Sequence, residues 1–303
     1  MDFFNTPKTV VVVAGPTAVG KTKAAIKLAL WLDTEIISAD SRQIFKELNF
    51  GTAIPSKEEL TAVTHHFIQT HSIFENYNAS RYESEALEKL GSLFKKYDTV
   101  ILEGGSMLYI DAVCKGIDSM PDVDPGVRDH LKKRLEDEGL ESLRLQLKKV
   151  DPEYYRKTDL KNPARIVHAL EICIMTGKPY SSFRTAKPKE RPFRIIKTGI
   201  NTERENLHKL INLRTDRMIQ SGLEVEARKF YPFRHLNALN TVGYREFFDF
   251  FDGKISREKA IELIKRNTRR YARKQLTWFN RNPDITWFKP GQEEEMLKYI
   301  KSV

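Results

Sequence analysis

Residues Gly15-Pro16-Thr17-Ala18-Val19-Gly20-Lys21-Thr22 follow the spacing G-x-x-x-x-G-K-[ST]. The chemistry of that pattern is anion binding. Gly15 and Gly20 let the backbone aim several N–H groups at one phosphate. The helix expected next adds the positive end of its dipole. Lys21 supplies a point charge, and the Thr22 hydroxyl can ligate Mg²⁺. Such a loop cradles a di- or triphosphate, nucleotides included, without choosing between them. Asp40 ends a second apolar run, in Ile-Ser-Ala-Asp-Ser-Arg-Gln. It can serve as a general base, as a partner of a metal's ligands, or as the N-cap of a helix over 41–47. Glu103 ends a third apolar run and opens Glu-Gly-Gly-Ser. A metal-binding role and a structural role are both open to it. His65 and His66 lack the neighbours a metal site needs and read as surface or satisfied residues. Cys114 and Cys173 lie 59 positions apart, outside any disulfide or zinc spacing. They read as buried small hydrophobes.

These residues need elements to hold them. Residues 9–14, Thr-Val-Val-Val-Val-Ala, predict a strand buried on both faces. A helix follows to about Asp33. Further strands are expected at 35–39, 66–70, 99–102, 194–200 and 285–288. Helices are expected over 80–97, begun by Ser80, and from Ser106. Strand–helix alternation of this kind predicts a doubly wound α/β sheet, in which ligands gather beyond the carboxyl ends of the strands. Residues 117–177 change the pattern to helix without strand, over 125–138, 140–149, 152–156 and 162–176. Pro121, Pro125, Pro152 and Pro163 punctuate them. Residues 178–193 form a basic return linker. Helices at about 203–221, 222–231, 242–251 and 256–280 complete the chain. The fold class is therefore α/β: a P-loop NTPase-like parallel sheet flanked by helices, with an all-helical insertion domain. The expected division is a core of 1–116 and 193–303 and an insertion of 117–192.

The chain has 303 residues, 40% hydrophobic and 30% charged, an ordinary globular balance. No run is long and apolar enough for a membrane span. The start, Met-Asp-Phe-Phe-Asn-Thr-Pro-Lys, does not read as a signal peptide. A cytoplasmic protein is expected, with no membrane partner and no need for a second subunit. Lys and Arg number 51 against 41 Asp and Glu, a net charge of +10. That charge is concentrated. Residues 181–197 carry +5, with Arg184, Lys187, Lys189, Arg191, Arg194 and Lys197 against Glu190. Residues 265–281 carry +7 and no acid, so the remainder is −2. Arg266, Arg269, Arg270 and Arg273 recur at i, i+3, i+4 and i+7 on one helix face. Tyr271, Trp278 and Phe279 accompany them. Cations with aromatics suit a polyanion with unpaired bases, and Arg269 and Arg270 are expected on its phosphates. Two rival readings are a small-molecule kinase and a non-catalytic RNA-binding switch gated by nucleotide.

The ensemble resembles the tRNA dimethylallyltransferases, or isopentenyl-tRNA transferases. The resemblance rests on residues 15–22; on Ser38-Ala39-Asp40-Ser41-Arg42-Gln43 with Gly51-Thr52-Ala53; and on Glu103-Gly104-Gly105-Ser106-Met107-Leu108-Tyr109. It continues through Asn162-Pro163-Ala164-Arg165, Arg214-Thr215-Asp216-Arg217-Met218, Val242-Gly243-Tyr244-Arg245 and Arg273-Lys274-Gln275-Leu276-Thr277-Trp278. It implies transfer of a dimethylallyl group from dimethylallyl diphosphate to N6 of the adenine 3′ of the anticodon (position 37), with Mg²⁺. Asp40 would be the general base. Residues 15–22, Lys21 and Thr22 above all, would hold the diphosphate with Arg165 and Arg214. Contacts to the tRNA anticodon stem-loop would fall on Asp40, Ser41, Arg42, Gln43, Ser106, Arg128, Ala164, Arg165, Ile166, Val167 and His168. They would continue on Asn240, Thr241, Val242, Gly243, Tyr244, Arg245, Arg273, Lys274, Gln275 and Trp278. Where the family often has Thr after the glycine pair, Ser106 keeps the hydroxyl. The chain lacks the zinc-finger spacing of some eukaryotic relatives and resembles the bacterial form.

Overall fold

A computed structural model describes residues 7–118, 120, 121, 124–185 and 187–303. The N-terminal reading falls largely on residues 1–6, and the linker reading includes Ala186; these lie outside the described residues. Two compact units arise, Met1–Lys115 with Glu190–Val303, and Gly116–Lys189.

The first unit is built on one parallel sheet. Its strands are β1 (Thr9–Ala14), β2 (Ile36–Ala39), β3 (His65–His66), β4 (Thr99–Gly104), β5 (Arg194–Ile200) and β6 (Thr286–Phe288). Their order is β3-β2-β4-β1-β5-β6. The valines of β1 are central and buried, each contributing roughly 1.5–3 kcal/mol of apolar burial. Register pairs Ala14 with Gly104 and Gly199, and Ala39 with Gly104. The carboxyl ends of β1, β2, β4 and β5 therefore coincide. That geometry gathers Gly15, Asp40, Gly105 and Asn201 at one edge.

Three local expectations change. β3 stops at His66 because Phe67 and Gln69 take positive φ, at 65° and 52°. No helix forms over 41–47. Phe45 instead bridges to His71, and Lys46 N–H donates to His71 O at 2.8 Å. The helix Ala79–Leu93 is capped by Asn78, whose side chain accepts from Arg81 N, and not by Ser80. Among the described residues two α-helices lacked a sequence expectation, Lys57–Ala62 and Glu293–Ser302. The latter buries Met296 and Ile300 against the helix Lys21–Leu32 and the sheet.

The second unit is helical among the described residues. Helices Pro125–Val150, Pro152–Lys157 and Pro163–Thr176 each begin with proline, where the missing N–H costs nothing. Gly139, at φ 78° and ψ 173°, breaks the first into the two expected halves. Asp124, Asp151 and Asn162 cap them. Ile166, Val167 and Leu170 fill the core with Leu131, Leu143 and Leu147. Asp151 is buried and accepts from Tyr154 N at 2.9 Å, Ser181 N at 2.6 Å and Ser181 Oγ at 2.8 Å. Replacing Asp151 with alanine strands these donors. A destabilisation of about 2–4 kcal/mol is expected, from the cap and the unsatisfied N–H groups together. Chemical denaturation followed by circular dichroism checks it; an unchanged midpoint refutes it.

Candidate active site

The loop after β1 is a built anion cradle. Gly20 sits at φ 96° as it caps the helix Lys21–Leu32. A Cβ on Gly15 would collide with Ile200 O, so β5 leaves room only for glycine. Lys21 is buried, and its Nζ donates to Pro16 O at 2.9 Å. Burial lowers the Lys21 pKa; Glu103 opposes that shift, Arg214 adds to it and Asp40 opposes it. Burial also lowers the Arg214 pKa, against Asp40 and Glu103. Its Nη2 donates to Thr52 O at 3.1 Å. Two desolvated cations beside the loop favour an incoming anion. Glu103 is buried with its pKa raised by burial, Lys21 opposing. Its Oε1 accepts from Thr22 Oγ1 at 3.4 Å.

Asp40 stands at the same edge. Its Oδ1 accepts from Arg42 N at 2.8 Å and Gln43 N at 3.2 Å. The capping role is real, but it serves a turn. Among the described residues none bonds Oδ2. Asp40 lines a pocket of about 280 Å³ with Ser41, Arg42, Arg214, Asn240, Thr241, Val242, Arg245, Thr268 and Tyr271. A second pocket, of about 860 Å³, contains Lys21 and Thr22 beside Phe50, Ile54, Pro55, Leu210 and Leu213. Arg214 and Met218 line both. One pocket thus pairs a carboxylate with polar groups, and its neighbour pairs cations with apolar walls.

Several residues expected at the RNA hold the scaffold together. Gln275 is 1% exposed. Its Oε1 accepts from Thr17 N at 2.9 Å, and its Nε2 donates to Gly105 O at 2.7 Å. It ties the loop after β1 to the loop after β4. This explains the glycine pair, since a Cβ on Gly104 would strike Ala39 O and one on Gly105 would strike Gln275 Nε2. Ser106 Oγ accepts from Ser41 N at 2.8 Å, which joins the loops after β2 and β4. Tyr244 is buried and donates to Glu226. Glu226 also accepts from Asn49 N at 2.8 Å, Phe50 N at 3.1 Å and Gly51 N at 2.9 Å. Glu226 had no sequence expectation. Its signal was an acid on the apolar face of Leu223, Ala227 and Phe230. Gln43 is buried and donates to Thr52 O and Ala53 O. Gly243 is buried too, and its N–H is taken by Glu246 at 2.8 Å.

In the second unit, Ala164 and Arg165 are exposed, while Ile166 and Val167 are buried in its core. Their side chains serve packing. Arg128 grips Glu171 through two bonds, at 2.7 and 3.0 Å, and His168 Nδ1 lies 3.2 Å from Glu171. Burial pushes the Glu171 carboxyl up, but bonds from His168 and Arg128 hold it below the ordinary range.

The basic segments also divide. Arg191 is spent internally on Glu83 at 2.7 Å and on the carbonyls of Ala112 and Val113. Lys197 pairs with Asp284 at 3.0 Å. In the helix Arg257–Phe279, Ile264, Thr268 and Tyr271 face the Asp40 pocket. Arg266, Arg269, Arg270 and Arg273 share a face as expected, but it lies about half a turn away. Lys274 is exposed, and Trp278 Nε1 donates to Asp111 at 2.9 Å. His65 and His66 bond Val63 O and Glu35, and both cysteines are free and buried. No helix among the described residues is long and apolar enough to cross a membrane.

Comparison with known proteins agrees with this geometry. The family model described as IPP transferase matches residues 43–282. The tRNA dimethylallyltransferase 1 of Phocaeicola vulgatus is 54% identical over 297 residues, 98% of this chain and 99% of its own length. A tRNA dimethylallyltransferase of Christiangramia forsetii is 51% identical, covering 96% of each. The solved full-length tRNA isopentenylpyrophosphate transferase of Bacillus halodurans has a TM-score of 0.71 at 32% identity, covering 97% of this chain and 96% of that one. With the phosphate loop, the Asp40 pocket and the full-length match in agreement, the chain belongs to the IPP transferase family.

Proposed function

We propose that this protein is a tRNA prenyltransferase that moves a dimethylallyl group from dimethylallyl diphosphate to N6 of the adenosine 3′ of the anticodon. The observation that carries the reading is the pair of pockets meeting at Arg214 and Met218. One offers a carboxylate to an amine. The other offers cations to a diphosphate and apolar walls to a five-carbon tail. A kinase needs no such wall beside its phosphate loop, and a nucleotide-gated switch needs no Asp40.

The N6 amine of adenine is a weak nucleophile because its lone pair is delocalised into the ring. As N6 attacks the first carbon of the allyl group, the carbon–oxygen bond breaks and diphosphate departs. Asp40 takes the N6 proton, and its Oδ1, anchored by Arg42 N and Gln43 N, fixes the carboxylate plane. Lys21, Arg214 and the loop N–H groups answer the charge that grows on the leaving group. The base must leave its stack to reach Asp40. Tyr271, 36% exposed, offers a ring beside it, and Arg42, Asn240, Thr241, Val242 and Arg245 frame it. Arg165 is assigned to diphosphate, and Ala164, Arg128 and His168 to RNA, by the family resemblance.

Mg²⁺ fits the donors present. The Thr22 hydroxyl and the Glu103 carboxylate are hard oxygens 3.4 Å apart that, with diphosphate oxygens and water, would hold it. When bound, the ion would neutralise diphosphate charge. On this reading the enzyme is a monomer working in the cytoplasm, where its tRNA substrate is found.

The test is incubation with unmodified tRNA and dimethylallyl diphosphate. A mass gain of one dimethylallyl unit on the nucleoside 3′ of the anticodon supports the reading. Unchanged tRNA, or phosphate transfer from a nucleoside triphosphate, overturns it. Gln275→Ala adds a check on the scaffold. Loss of its two bonds should lower kcat/KM about tenfold, as a misplaced loop does, with tRNA affinity little changed. A loss confined to tRNA affinity would restore Gln275 to the RNA surface.

A further inference from the structure

The arginine face of the helix Arg257–Phe279 borders a groove that the proposed reaction does not use. Its volume is about 550 Å³. Arg266, Arg269, Arg270 and Arg273 form one wall; Arg204 and His208 form the other, over a floor of Leu207 and Leu276. Asn201 and Thr202, just past β5, close one end. Five guanidinium groups thus share one concavity without a carboxylate in its lining. Among the described residues none of the five has an ion-pair partner within 4.0 Å. Glu262, whose charge is felt with those of Arg266 and Arg269, is held by Lys259 at 2.7 Å. The Arg266 Nε is buried and has no hydrogen-bond partner among the described residues. Arg269 spends one bond, on Asn212 at 2.7 Å. Burial, with Arg204 and Arg269, lowers the His208 pKa. The groove also meets the first turn of the helix Arg204–Ser221, whose cap residue Glu203 makes no side-chain cap bond.

Clustered cations repel one another unless an anion joins them. Planar guanidinium forks match phosphate oxygens in pairs. The ligand must be multiply charged to answer five arginines. It must also be compact, because the site is a concavity with an apolar floor rather than a flat track. The groove lies half a turn round the helix from Thr268 and Tyr271, so RNA placed at Asp40 is on the other face.

We propose that this groove is a second oligophosphate site, separate from the loop 15–22, for a small diphosphate- or triphosphate-bearing molecule. Free diphosphate and a nucleoside triphosphate share the recognised chemistry. This site goes beyond the prenyl-transfer reading and does not depend on it.

The experiment is equilibrium dialysis of the full chain with labelled inorganic diphosphate at low salt, then with ATP. Wild-type protein should bind two diphosphates. Arg269→Ala with Arg270→Ala should weaken one of them roughly 30-fold or more, as loss of two charge-assisted contacts would. Unchanged thermal melting keeps that result from being a folding defect. Lys21→Ala should spare the groove and weaken the other site. ATP competing at the groove identifies a nucleotide as an occupant; ATP competing only at the loop leaves free diphosphate. One diphosphate in the wild type overturns the proposal. So does retention of both sites by the double variant, and a reduced salt dependence of its tRNA affinity would then give the groove to RNA. Two sites remaining in Lys21→Ala would sink the phosphate-loop assignment instead.

Discussion

Replacing Asp40 with alanine is expected to lower single-turnover prenyl transfer by roughly 10²–10⁴-fold, the usual worth of a positioned general base. Binding of tRNA should change little. Asp40 is one of several groups framing the pocket, with Arg42, Asn240, Thr241 and Arg245 still in place. Two roles meet in this side chain. Oδ1 caps the turn after β2, while Oδ2 is free of bonds among the described residues. Alanine removes both roles, so the turn itself needs a control. Asp40→Asn keeps an oxygen for Arg42 N and Gln43 N but cannot take a proton. If Asp40 acts as the base, asparagine should be nearly as inactive as alanine and should melt like the wild type. If it is only a cap, asparagine should restore most of the rate. A single-turnover rate near wild type in either variant would remove Asp40 from the chemistry.

The parts legible in the sequence are those specified by neighbouring residues. Four consecutive valines before Gly15 need burial on both sides, and β1 is the central strand beside β4 and β5. The loop 15–22 is read from eight residues because anion binding by backbone N–H groups depends on local conformation. Asp40 and Gly105 become neighbours because the parallel register pairs Ala39 with Gly104, so that β2, though the shorter strand, ends level with β4. What was not legible is the set of contacts made across long separations. Gln275 lies 258 positions from Thr17, and nothing in its helix says which loop its amide will meet. The arginine stripe at 266–273 was visible. Its second wall, Arg204 and His208, belongs to another helix, and no spacing rule links the two. Glu226 is a similar case. Its carboxylate replaces a strand partner for three backbone N–H groups of the 49–51 loop. Local propensity reads it only as an acid in a short helix. Charge counting pointed to a polyanion but could not say which cations are free: Arg191 and Lys197 raise the net charge of their segment, yet each is paired within the fold.

Replacing Lys21 with alanine is expected to cost roughly 10²–10³-fold in the rate of transfer, comparable to loss of one preorganised donor to a developing oxyanion. The argument rests on where the charge goes. The allylic carbon–oxygen bond puts its electrons on diphosphate as it breaks, so interactions at the leaving group strengthen along the reaction. Lys21 is already desolvated, with its ammonium pKa lowered by burial and by Arg214. The fold thus bears the cost of drying the cation before substrate arrives, and an ammonium so prepared attracts the growing charge strongly. Its present partner, Pro16 O at 2.9 Å, is a neutral carbonyl that an anion can displace. Thr22 is bonded to Glu103 rather than to Lys21 and should keep its place, while Glu103 loses the cation that offsets its burial. Lys21→Ala should therefore depress the rate at saturating dimethylallyl diphosphate more than it weakens diphosphate binding, while tRNA affinity stays near wild type. Rapid-quench measurement at saturating substrate separates the two effects. A variant with a normal rate constant and only a raised KM would show that Lys21 holds the ground state alone. The anion-stabilising role would then fall to Arg214 and the loop N–H groups.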